Sequence, residues 1–248
     1  LGGVIDCDIR DFPGYSTPRG CTYNSYLIVD DKVCVVYGVR EGFGPEMFRR
    51  IRGCRDNRAV DYFVVNHVEM DHTGSLPWLI EQLAPGKIVT SKRGQEALVQ
   101  HFGPEECERW DILAVGTGDE ISLGRYTLSF LEAPMLHWPD SMFTYIKEPH
   151  VLLPNDAFGQ HLAGSRRFAD QMDMNLVMEE AVTYFANILM PFAGQIAKMI
   201  QKVIDMGLEI DILGPSHGVV WRRREDIDAI IEAYAAWAGK SIPTEAEW

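Results

Sequence analysis

The feature that most constrains this chain is a two-fold alternation of short apolar runs with stretches of helical spacing. Runs at Ser25–Asp30 and Val33–Val39 flank Asp30-Asp31-Lys32, which reads as a hairpin turn. Gly44–Cys54 has helical spacing, with Met47, Phe48 and Ile51 on one side. A compact apolar strand at Asp61–Asn66 leads into a polar segment, 67–75, followed by a helix at Leu76–Leu83, a strand at Lys87–Thr90 and a helix at Gln95–Phe102. The second half repeats the theme. Strands are expected at Ile112–Val115, Glu120–Leu123, Tyr126–Leu131, Met142–Ile146 and Val151–Leu153. Helices at Asn175–Met190, Phe192–Met206 and Arg224–Ala238 follow, interrupted by a strand at Ile210–Leu213. Strands then helices, twice over, suit an α/β fold of two stacked sheets covered outside by helices, an αββα four-layer sandwich. No stretch reads as a linker, so residues 1–248 are expected to form a single domain.

Composition narrows the function classes. The net charge of −13 repels nucleic acid and anionic lipid, because phosphate binding needs clustered Lys and Arg. The basic run Arg222–Arg224 reads as the start of an exposed helix. Apolar runs such as Tyr62–Val65 and Val151–Leu153 fall far short of the roughly 20 residues a membrane span requires. Neither a nucleic acid nor a membrane is therefore expected as partner. The five cysteines, Cys7, Cys21, Cys34, Cys54 and Cys107, are scattered without a CxxC pair. That argues against a disulfide framework or a thiolate-ligated metal, and for a cytoplasmic location with most thiols acting as small core groups.

The chemistry-bearing segment is Asn66-His67-Val68-Glu69-Met70-Asp71-His72-Thr73-Gly74, directly after a buried strand. Alternation in an extended turn would point His67, Glu69 and Asp71 to one side, with His72 following where the chain bends into a helix. Imidazole nitrogen and carboxylate oxygen suit iron, manganese and zinc alike. Three more positions resemble single ligands on strand-end loops: His137 in Pro134–Pro139, Asp156 after Leu152-Leu153-Pro154-Asn155, and His217 in Gly214–Gly218. Singly, each is more often a core histidine or a helix cap. Together the four histidines and three acids suit two metal ions with one bridging carboxylate. A site so rich in hard oxygen favours iron or manganese, although zinc would also bind.

These residues resemble the metallo-β-lactamase-like domain of flavodiiron proteins. The resemblance covers nearly the whole chain, including Asp8–Tyr15, Thr22–Ile28, Asn66–Pro77, Pro134–Tyr145, Asn155–His161, Ala186–Phe192 and Pro215–Trp221. The hydrolytic zinc branch usually has His where this chain has Glu69, an exchange that marks the diiron branch. The resemblance implies one iron held by His67, Glu69 and His137, a second held by Asp71, His72 and His217, and Asp156 between them. It also implies O2 or NO as substrate and a head-to-tail homodimer. Three departures stand out. The family's flavodoxin-like domain lies outside these 248 residues, and no phosphate-binding loop is visible, so no FMN is expected in this chain. Pro13 stands in Phe12-Pro13-Gly14-Tyr15 where relatives often carry His. Tyr37 stands where an acid is common, and is read either as a packed core aromatic or as a group that steadies bound oxygen. His161 is a candidate neighbour of the metal ligands; Tyr184 and Phe185 read as core, and His101 and His150 as surface.

Without a flavin, an O2- or NO-binding sensor or carrier that signals to a partner protein is one expectation. The alternatives are the catalytic half of an O2 or NO reductase fed by a separate electron donor, and a dinuclear zinc hydrolase.

Overall fold

The computed structural model describes residues 2–12, 15–56 and 58–239. Pro13 and Gly14 lie outside the described residues, and with them the expected departure at Pro13. The first sheet contains β1 (Gly2–Asp6), β4 (Cys21–Val29), β5 (Val33–Val36), β6 (Tyr62–Val64), β7 (Lys87–Ser91) and β8 (Ile112–Val115), in the order β1-β4-β5-β6-β7-β8. A two-strand ribbon, β2 (Asp11–Phe12) and β3 (Tyr15–Ser16), stands apart from it. The second sheet runs β13 (Ile212–Leu213), β12 (Val151–Leu153), β11 (Met142–Ile146), β10 (Thr127–Glu132), β9 (Glu120–Ser122). From β5 to β8 the strands are parallel, as crossover helices require: α1 (Gly44–Cys54), then α2 (Met70–Thr73) and α3 (Leu76–Leu83), then α4 (Lys92–Phe102) and α5 (Pro104–Cys107). The second sheet is antiparallel apart from its β12–β13 pair, and is covered by α6 (Met174–Tyr184), α7 (Ala193–Asp205) and α8 (Arg224–Ala238).

Period-two alternation explains the layers. In β5, Val33 and Val35 point into a core shared with Met47, Leu79 and Leu98 of the helices, while Cys34 and Val36 point at the other sheet. There they meet Leu128, Phe130 and Leu153. On the far side Leu131, Phe143 and Leu152 pack on Val177, Ile196 and Ile230. Three apolar cores between four layers make the αββα sandwich. Local chemistry sets the helix starts: the Ser91 hydroxyl accepts the Gly94 N–H, and Asp173 accepts that of Asn175.

Two expected elements end early. The strand from Val33 stops at Val36 because Tyr37 takes a left-handed backbone, φ 67°. The expected helix Asn175–Met190 is α6 followed by a π turn at Phe185–Leu189 and a 3-10 turn at Met190–Phe192. Pro191 lacks the N–H an α-helix needs and its ring crowds the preceding turn, so the register widens before α7 begins. Among the described residues no helix is long and apolar enough to cross a membrane.

Candidate metal centre

One edge of the sandwich gathers the chain at the ends of β6, β10, β12 and β13. Asn66 locks the two sheets together there: its carbonyl accepts the Thr144 hydroxyl at 2.7 Å and its amide donates to the Leu153 carbonyl at 3.2 Å. His67 follows in extended backbone. Glu69 is the last residue before α2, so Asp71 and His72 sit on its first turn rather than in the expected extended segment. His137 occupies the loop from β10 to β11, Asp156 follows β12, and His217 follows β13, held by Asn24 of β4, whose amide donates to Pro215 and Gly218 carbonyls.

All seven side chains converge. Asp156 lies at the middle, with His67, His72 and His217 buried around it. Its Oδ2 faces His67 Nε2 at 3.7 Å and His137 Nε2 at 3.4 Å, while its Oδ1 faces His72 Nε2 at 3.0 Å and His217 Nε2 at 3.4 Å. Glu69 Oε2 lies 3.1 Å from both His67 and His137. Asp71 lies 3.1 Å from His217 and 3.4 Å from His72. Ligand-type atoms of His67, Glu69, His72 and Asp156 lie within 4.8 Å of one another, as do those of Asp71, His72 and His217, so either group could hold a metal ion. The donor set also fits a cation by what it leaves unsatisfied. Asp71 Oδ1, His72 Nε2 and Asp156 Oδ2 are buried without a hydrogen-bond partner, a cost that a metal ion would remove.

Electrostatics point the same way. Burial alone would push the His67 pKa down, but hydrogen bonds with Asp140 and Glu69 outweigh it and raise it to about 10. Burial likewise opposes His137, whose pKa rises to about 9 through Asp156 and Glu69. Burial would raise the Asp156 pKa, yet the surrounding imidazoles hold it well below the usual range. Asp140, Glu69 and Asp156 thus raise the proton affinity of His67 and His137, where a metal cation would otherwise balance the carboxylates.

Supporting groups that sequence reading missed fix these orientations. Asp140 accepts from the Val68 N–H at 2.7 Å and lies 3.1 Å from His67 Nδ1, leaving Nε2 to face the centre. His217 Nδ1 donates to the Thr22 carbonyl at 2.8 Å, which does the same for its Nε2. The Ser216 hydroxyl donates to Asp156 Oδ1 at 2.7 Å. Asp140 directly follows Pro134–Pro139, the loop singled out in sequence for His137 alone. The second-tier candidates separate. Tyr37 is buried in the core and its hydroxyl accepts the Asn155 N–H at 2.6 Å, one residue before Asp156. His161 borders a cavity of about 220 Å³ beside Glu69, Asp71, His137, Asp156 and His217. Its Nε2 is 2.7 Å from the Tyr15 hydroxyl and its Nδ1 3.2 Å from Cys21 Sγ. Burial pushes its pKa down to about 3, with His217 adding to the effect, so the ring is neutral. Tyr184 packs in the core as expected and also borders the same cavity, and Phe185 packs on Tyr234 and Trp237. His101 is exposed on a helix and His150 pairs with Asp211 at the surface.

Residues 21–218 match the family described as ODP family beta lactamase. The chain belongs to that family. Among its relatives, a nitric oxide reductase from Moorella thermoacetica is 47% identical over 238 residues, covering 95% of this chain and 58% of the relative. Among solved structures, the rubredoxin oxygen:oxidoreductase of Desulfovibrio gigas superposes with a TM-score of 0.92 at 38% identity, covering 98% of this chain and 60% of that one. The flavodiiron protein of Giardia intestinalis gives 0.89 at 37% identity, covering 95% and 56%. This ODP-family chain therefore spans less than two thirds of the length of the relatives it matches, and its sandwich is the metallo-β-lactamase-like domain of the flavodiiron group.

Proposed function

We propose that this chain, as one domain over residues 1–248, is the dinuclear iron part of an O2 or NO reductase. The observation that carries the reading is the divided Asp156 carboxylate, one oxygen toward His67 and His137 and the other toward His72 and His217. Glu69 then completes the first metal set and Asp71 the second, as the resemblance implies. Two iron ions held there would supply the transfer of electrons to a small gas molecule. The names of the relatives, a nitric oxide reductase and a rubredoxin oxygen:oxidoreductase, supply the substrate class.

The chain's own residues do the rest. Asp140 and the Thr22 carbonyl hold His67 and His217 in one tautomer each, so both Nε2 atoms stay available at the centre. Burial of His67, His72, Asp156 and His217 shields these ligand atoms from bulk water, while Glu69 and Asp71 lie on the cavity side. Reduction of either gas consumes protons. The Tyr15 hydroxyl and His161 Nε2, 2.7 Å apart on the cavity wall, form a pair through which a proton can pass. A groove of about 910 Å³, lined by Phe12, Tyr23, Arg40 and Phe43, runs to Glu69 and Asp71 and suits the approach of an electron donor outside this chain. The same reading implies a homodimer; a sedimentation mass of one chain would count against that part.

The test is gas uptake by anaerobic, Fe(II)-loaded protein with excess chemical reductant. Sustained consumption of O2 or NO is expected. Uptake that ends near one gas molecule per site would replace the reductase with the sensor, and none at all would favour the zinc hydrolase. Glu69→Ala should lose at least one iron, and unchanged iron content would sink the ligand assignment.

A further inference from the structure

A second cavity, of about 310 Å³, lies between α7, α8 and the second sheet. Its floor includes Leu136, Ala157 and Phe158. Leu136 directly precedes His137, and Ala157 directly follows Asp156, so the floor is the backbone that carries two residues of the centre. At the outer end Ile204 is 61% exposed, and Ile231 is half-buried. The charged side chains that border the cavity lie on α8, where Arg224 pairs with Asp228 at 3.0 Å.

We infer that this cavity holds small apolar gas molecules and is their passage from the surface to the metal centre. The inference rests on the reading of the centre as a site for O2 or NO. Water gains little in a space walled by aliphatic side chains, and an apolar cavity of about 150 Å³ already stays dry and accepts xenon. A diatomic gas gives up almost no hydration on entry and gains dispersion contacts with the walls. The cavity beside the ligand atoms differs in kind, because Tyr15, His161, Tyr184 and Asn187 line it. Protons and water use that polar side, and the gas arrives from the apolar side behind His137 and Asp156. Phe158 lines the apolar cavity two residues after Asp156: its ring packs 4.4 Å from that of Tyr234, whose hydroxyl accepts the Phe158 N–H at 2.8 Å.

Xenon serves as the probe, read by its NMR shift in solution and by density in pressurised crystals of the whole chain. Xenon is expected in the cavity of the native protein and absent from Ile200→Trp, where a half-buried residue of α7 fills the space. The rate at which NO associates with the Fe(II)-loaded protein, followed by absorbance, should fall several-fold in that variant with iron content unchanged. Ile231→Trp, from α8, provides the same test should the first variant fold poorly. No xenon in the native cavity would overturn the inference, as would unchanged NO association in a folded, filled variant. Should the loaded protein bind neither gas, the functional reading fails separately, and xenon binding still decides whether the cavity takes apolar gas.

Discussion

At the scale of single residues, the centre depends on side chains that never face it. Asp140 orients His67 by sharing its Nδ1 proton while being held by the Val68 N–H. Asp140→Asn keeps the shape and removes the charge. It should weaken metal affinity roughly 10–100-fold, the usual effect of losing such a partner, with the fold intact. Chelator competition measures this, and unchanged affinity would remove Asp140 from the assignment. Tyr37 acts through Asp156's neighbour. Tyr37→Phe leaves the buried Asn155 N–H without an acceptor, at a cost of about 1–3 kcal/mol. Urea unfolding should show that loss; a neutral result would make Tyr37 packing only. Because its hydroxyl is engaged with Asn155, the structure favours the reading of Tyr37 as a core group over one that touches bound oxygen.

At the scale of elements, the two sheets are tied at both ends. Near the centre the tie is Asn66; at the other end it is Asp30, in the turn between β4 and β5. Its carboxylate accepts from the Tyr126 N–H at 2.8 Å and from Arg125 at 3.3 Å, both in the turn that leads into β10. Burial disfavours its charged form, but these bonds prevail and hold its pKa below the ordinary value. A lowered pKa in the folded state contributes stability above the unfolded carboxylate's value, near 3.9, and that contribution is lost as pH falls through the folded value. Asp30→Asn should therefore be less stable than the native chain at pH 7, with the gap closing toward pH 3. A gap that stayed constant over that range would refute the tie. The π turn after α6, Phe185–Leu189, continues its buried stripe: Tyr184 and Phe185 both pack in the core behind the second sheet, and Tyr184 also borders the cavity.

For the whole molecule, three carboxylates and four imidazoles crowded at one sheet edge, with Asp156, His67, His72 and His217 buried, oppose folding unless a cation balances them. A metal at a hundred times its dissociation constant stabilises by about 2.7 kcal/mol. For a chain of this size that corresponds to a rise in Tm of roughly 5–10 °C. Melting curves with Fe(II) or Zn(II) against chelator should show it, and superposable curves would mean that the cluster holds no metal.

Much of this architecture was legible before the fold was known. Period-two and helical apolar patterns report contacts made within a few residues, so the strand–helix order and the αββα layering followed from them. The seven converging side chains were also readable, because each sits just after an apolar strand and strand ends share an edge. What only tertiary structure decided is the set of contacts between distant segments, which leave no local periodicity. Asp140 meets His67 across 73 positions, Tyr37 meets Asn155 across 118, and Cys21 meets His161 across 140. The placement of Asp71 on a helix rather than an extended turn and the apolar cavity behind His137 belong to the same class. Each depends on how two sheets and their helices close on one another, and close packing of distant surfaces is a property of the folded whole.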